Sequence, residues 1–130
     1  MSLTDEERDT LVSLQIEKSK KHLSQADEMY NLGYYDMAAN RFYYSCFHAL
    51  QALLIRNGLF CHTHAGLIAE FGKQFIKTNV IDTKFGRLVA RLEQLREKSD
   101  YNCVYDIEEE DVKDMIQPCH ELIELISGMV

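Results

Sequence analysis

What this sequence lacks narrows its class before any motif is read. No apolar run approaches the roughly 20 residues needed to span a bilayer, so a membrane-spanning helix is excluded. No Gly/Ser/Pro-rich stretch divides the 130 residues, there is no repeat at a fixed period and no low-complexity tract, so one domain over residues 1–130 is expected. No segment shows the period-two alternation of a half-buried strand. Basic charge is scarce as well: 14 Lys and Arg face 21 Asp and Glu, for a net charge of −7. Affinity for nucleic acid comes from cations neutralising phosphates, so this balance excludes a broad nucleic-acid footprint and leaves room only for a local basic patch.

The four cysteines (Cys46, Cys61, Cys103 and Cys119) lie far apart and contain no C-x-x-C pair, which reads as reduced, mostly structural thiols. The one Cys/His cluster, Cys61-His62-Thr63-His64, has no second half to complete a zinc site, so neither a metal nor another cofactor is expected. The N-terminus, Met1-Ser2-Leu3-Thr4-Asp5-Glu6-Glu7, is acidic, unlike a secretory signal or transit peptide, and a cytoplasmic location is the expectation.

What is present is helical periodicity, in an apolar fraction of 46% that can build a core. Thr4 and Glu7 have the spacing of a capping box, and an apolar stripe follows through Val12, Ile16, Leu23, Ala26 and Tyr30, with Ser19 filling the gap. Gly33 can take the left-handed conformation that closes this helix. A second helix is expected from about Tyr35 to Asn57, stopped by Gly58. Its stripe (Ala38, Ala39, Phe42, Cys46, Ala49, Leu50, Leu53) is widened by Tyr43, Tyr44, Phe47 and Leu54 until little polar face remains, which places it at the centre of a bundle or in a subunit interface.

Thr63 can cap a third helix carrying Leu67, Ile68, Phe71, Phe75 and Ile76. Gly72 inside it costs about 1 kcal/mol of helix propensity, which suggests a close helix approach there. Asp82 can cap a fourth helix through Phe85, Leu88, Val89, Leu92 and Leu95, and residues 99–105 read as a loop. Asp106 and Glu109 have the spacing of another capping box before a fifth helix, in which Pro118 should produce a kink near residues 114–118. Short connections between such helices imply an all-α, up-and-down bundle of about five helices with a four-helix-bundle-like core.

A few polar residues are not required by a plain bundle. Arg41 and His48 stand seven apart on the second helix, so they point roughly the same way. His64 begins the third helix, and Arg96, Asp100 and Tyr101 end the fourth. Two readings stay open. Arg41 could pair with a carboxylate such as Asp100, with Tyr and His satisfying buried polar groups. Alternatively, the set forms a ligand-binding or catalytic patch.

The segment Tyr34-Tyr35-Asp36-Met37-Ala38-Ala39-Asn40-Arg41-Phe42-Tyr43-Tyr44-Ser45-Cys46-Phe47-His48-Ala49 resembles the hallmark of one branch of the HEPN family, the prokaryotic helical bundles that travel with minimal nucleotidyltransferases. Thr63-His64-Ala65-Gly66 is similar to that family's T-H-x-G step, and Arg96-Glu97-Lys98-Ser99-Asp100-Tyr101 to its R-x-x-x-D-Y segment, in the same order. The likeness runs from about residue 26 to residue 126. It implies a helical bundle that commonly dimerises and a nucleotidyltransferase-like partner in a toxin–antitoxin setting. It also implies a ligand-binding patch for a nucleotide or RNA phosphate made of Arg41, Tyr44, His48, His64, Arg96, Asp100 and Tyr101.

Many members of that family cleave RNA without metal, using an R-x(4–6)-H motif in which imidazole serves as acid/base and guanidinium holds the phosphate. The motif normally falls late in the bundle, where this chain has Arg96 to Asn102 and no histidine. Two literal matches lie elsewhere. Arg56 to His62 is interrupted by the helix-breaking Gly58, and Arg41 to His48 lies on the wrong helix. These four are the candidate catalytic residues for an endoribonuclease, which stands as the alternative to a binding and assembly module or a purely structural partner.

Overall fold

In the computed structural model, residues 2–101 and 106–130 are described, apart from the side chain of Tyr101. Helix α1 (Asp5–Asn31) and helix α2 (Tyr35–Arg56) form a long antiparallel hairpin. Helix α3 (His64–Phe71) runs into a π-helical turn (Gly72–Ile76), followed by α4 (Thr83–Tyr101). A short α5 (Glu109–Val112), a 3-10 turn (Lys113–Met115) and α6 (Ile116–Met129) complete an all-α bundle. No strand occurs among the described residues.

The hairpin ends where its glycines permit. Gly33 and Gly58 both sit in the left-handed region, at φ 84° and 78°. Each follows the helix cap and lets two backbone N–H groups fold back onto free carbonyls: Gly33 to Tyr30 and Tyr34 to Met29, then Gly58 to Ile55 and Leu59 to Leu54. At the other end of α1 the expected capping box is formed, with Thr4 Oγ1 accepting from Glu7 N and Glu7 Oε1 accepting from Thr4 N.

Helix α2 packs against every other helix, because its apolar surface goes most of the way round. Phe42, Tyr43, Ala49, Leu50, Leu53 and Leu54 are buried within the one chain, so the central-helix reading holds for them without a subunit interface. Where α1 crosses α2, Ser19 and Ser45 are both fully buried. Ser19 Oγ donates to the Ser45 carbonyl at 2.7 Å and Ser45 Oγ donates to Phe42 O, so both hydroxyls are satisfied inside the core. The gap in the α1 stripe is therefore a close helix contact. Cys46 and Cys119 are buried side by side as free thiols, Cys46 Sγ donating to Cys119 Sγ at 3.8 Å with no disulfide between them. Cys103 lies outside the described residues.

Several expectations need correction. Ser99, Asp100 and Tyr101 continue α4 and are not a loop; the rest of that expected loop falls outside the described residues up to Asp106. The cap of α5 is Glu108, whose N–H donates to Asp111 Oδ2 at 2.9 Å; the Asp106–Glu109 box does not form, because Ile107 between them turns into the core. Gly72 has no neighbour within 4 Å of where a Cβ would stand, so it marks no close approach; it opens the π turn, whose Lys77 N–H reaches Gly72 O. The break expected near residues 114–118 does occur, in the 3-10 turn Lys113–Met115, but Pro118 lies just after it in the first turn of α6, where its missing N–H has no helical partner to lose.

Candidate functional site

The residues with chemistry collect where α2 meets the start of α3 and the last turns of α4. Thr63 Oγ1 accepts from Gly66 N at 2.9 Å and so fixes the first turn of α3, which begins with His64. His64 lies against α2. Its ring stacks on Phe47 with centroids 4.4 Å apart, stands parallel to Tyr43 at 5.7 Å, and meets Tyr44 edge-on at 5.8 Å. Its Nδ1 is 2.6 Å from the Tyr43 hydroxyl.

The Arg96 guanidinium lies 4.9 Å from the Tyr43 ring centroid, a cation–π placement, and it pairs with Asp100 at 3.4 Å one helical turn on. The Arg96 side chain keeps only 15% of its surface exposed. The electrostatics follow from that crowding. Burial first, then the Arg96 charge, holds the His64 imidazole below its ordinary value, against a weaker upward pull from Glu93. Burial likewise pushes the Tyr43 hydroxyl up to about 12, with Arg96 opposing. A neutral His64 and a neutral Tyr43 give one consistent bond: Tyr43 O–H donates to His64 Nδ1, and the ring hydrogen stays on Nε2. The result is a half-buried aromatic surface (Tyr44, Phe47, His64) backed by one guanidinium.

His48 adjoins this patch through Phe47 but faces α1. Its Nδ1 is 2.7 Å from Gln15 Oε1 and its ring is 5.2 Å from that of His22. Burial, then His22 and Lys18, lower its pKa to about 4. Arg41 is not with His48. It lines a separate open groove of about 220 Å³ with Asp36, Met37, Asn40 and Ser99. The expected Arg41–Asp100 pair is not formed, since Asp100 pairs with Arg96, a full turn away on its own helix. Among the described residues Arg41 makes no hydrogen bond or ion pair.

The second literal motif is separated too. Arg56 Nη1 binds Asp9 Oδ1 on α1 at 2.7 Å, whereas His62 is exposed beside a groove lined by Cys61, Glu70 and Lys73. Neither Arg–His pair converges within one chain. Of the expected ligand-binding residues, Tyr44, His64, Arg96 and Asp100 come together, His48 borders them, and the Tyr101 side chain lies outside the described residues. Tyr43, Phe47, His22 and Gln15 were not expected at the site. The first two looked like core filler on an over-wide apolar stripe, and the last two sit on another helix with no local pattern to select them. No three His, Cys, Asp or Glu side chains cluster as a metal site among the described residues.

The family model described as "HEPN domain" matches residues 12–129. "Putative toxin MJ0142" of Methanocaldococcus jannaschii is 32% identical over 105 residues, covering 81% of this chain and 71% of the relative. "Putative toxin MJ0605" of the same organism is 36% identical over 95 residues, covering 73% and 71%. A UPF0332 protein of Thermotoga maritima is 33% identical over 93 residues, covering 72% and 70%. The crystal structure of TT1696 from Thermus thermophilus shares the fold, with a TM-score of 0.75 at 12% identity over 92% of this chain and 98% of that one.

Proposed function

This chain belongs to the HEPN domain family, and from that membership and the patch at His64 we propose that it is a binding and assembly module for a nucleotide or RNA phosphate. The observation that carries the reading is the stack of His64 on Phe47 and beside Tyr44, with Arg96 held behind it by Asp100. Half-buried aromatic faces accept a nucleobase by stacking, worth about 1–3 kcal/mol per base. A guanidinium fixed by a carboxylate offers directed donors to a phosphate. One such patch on a chain of net charge −7 fits a single nucleotide or a short single-stranded segment better than a duplex.

In this reading the module works in the cytoplasm as a homodimer and partners a nucleotidyltransferase-like protein in a toxin–antitoxin-like pair, in keeping with the toxin names of two relatives. The separation of Arg41 from His48 and of Arg56 from His62 favours binding over RNA cleavage within one subunit.

The test is a titration of the pure chain with ATP and with a fluorescent single-stranded RNA at low salt. Binding should weaken at least tenfold in His64→Ala and in Arg96→Gln, while far-UV circular dichroism stays native. Equal binding in both folded variants would sink the proposal. Cleavage of the RNA in EDTA, lost in His48→Ala or His62→Ala, would instead establish the endoribonuclease.

A further inference from the structure

One turn of α2 beyond Tyr44, two imidazoles face each other across the α1–α2 hairpin. The rings of His22 and His48 have centroids 5.2 Å apart and planes inclined at 53°. Each is tethered. His22 Nδ1 is 2.9 Å from the Lys18 carbonyl oxygen, and His48 Nδ1 is 2.7 Å from Gln15 Oε1. Both partners are acceptors, so both Nδ1 atoms carry a hydrogen, and Nε2 is the ring nitrogen left to bind a Lewis acid. Both tethers also stand on the same side, the N-terminal side of His22 along α1.

Two imidazoles, each oriented through Nδ1–H by a carbonyl or an amide oxygen, form the arrangement in which histidines bind metal through Nε2. The spacing fits as well. A metal–nitrogen bond of about 2.0–2.1 Å puts a ring centroid roughly 3.2 Å from the ion, so two rings opened near the tetrahedral angle lie roughly 5.2 Å apart. The surroundings are permissive. Burial and the mutual proximity of the rings disfavour a proton on His48, so the ring stays available to a Lewis acid at neutral pH. Lys18 is the cation that bears on the pair; it is exposed, and its flexible stem can carry the ammonium into solvent.

We propose that His22 and His48 form a two-histidine site for a divalent first-row transition-metal ion, with water or an anion filling the remaining positions. Among the described residues no third His, Cys, Asp or Glu completes a ligand set, so the site is open and exchangeable rather than structural. Two imidazoles favour copper(II) over nickel(II) and zinc(II). The site does not depend on the phosphate-binding reading, since neither histidine belongs to the His64 stack.

The test is calorimetric titration of the full chain, free of any histidine tag, with copper(II) in a glycine buffer that masks weak surface binding, alongside electron paramagnetic resonance. One ion per chain with nitrogen hyperfine coupling is expected. His22→Ala and His48→Ala should each weaken binding more than tenfold. Gln15→Leu, which removes no ligand, should weaken it by about tenfold, and His120→Gln, whose imidazole on α6 instead pairs with Asp27 at 2.9 Å, should leave it unchanged. Should His48→Ala fail to fold, His22→Ala, on the exposed side of the pair, carries the comparison. Copper binding that is absent, or that survives His22→Ala undiminished, overturns the proposal.

Discussion

At the scale of single residues, position in the bundle decides what each histidine can do. His48 and His64 are both held below the ordinary imidazole value chiefly by burial, and His48 titrates only at about 4. The unfolded chain takes up a proton at His48 near the ordinary value of 6.5, whereas the folded chain resists until about 4. Between those limits the unfolded state binds more protons, so stability is full above 6.5 and declines as pH falls through the window. His48 is only half-buried, so solvent screening cuts the effect to about 1 kcal/mol. Urea melts at pH 7 and pH 4.5 should show this loss, and His48→Gln should flatten it. A slope unchanged by the substitution would mean that other groups set the pH dependence.

At the scale of elements, the start of α3 places His64, and two small residues build it. Thr63 caps the helix, and a Cβ at Gly66 would stand 2.8 Å from Thr63 Oγ1. Glycine is there for contact rather than for backbone freedom. Gly66→Ala should push the cap aside and cost about 1 kcal/mol, the same as Thr63→Ala, and the double substitution should cost little more than either one. Thermal denaturation of the three variants checks this non-additivity; fully additive losses would place the strain elsewhere. The helices themselves were legible from their periodicity and caps, because both are local. The boundaries that failed have two causes: Ser99, Asp100 and Tyr101 carry α4 on, with Asp100 pairing locally to Arg96 one turn back, whereas burial of Ile107, a matter of tertiary packing, moves the next cap to Glu108.

At the scale of the whole molecule, α2 is the axle on which every other helix depends. Phe42 is fully buried within it, and Phe42→Ala should destabilise by about 3–5 kcal/mol through lost burial and the remaining cavity. For a chain of this size that lowers the melting temperature by on the order of 10 °C, in one cooperative transition. A shift of only a degree or two would show that the core relaxes around the gap. By contrast, Arg41→Ala should change stability by less than about 0.5 kcal/mol, since Arg41 has no ion pair among the described residues.

The sequence alone determined the helical class, the ends of the hairpin at Gly33 and Gly58, and the central place of α2, because periodicity, capping and left-handed backbone are properties of neighbours along the chain. It also brought Tyr44, His64, Arg96 and Asp100 onto one short list. Only the tertiary structure decided how they group. Residues on one helix face can diverge to different neighbours, as Arg41 and His48 do, and residues from separate helices can converge, as His64 does with Arg96 and His22 with His48. Such convergence depends on how helices cross, and no spacing within a single helix encodes that.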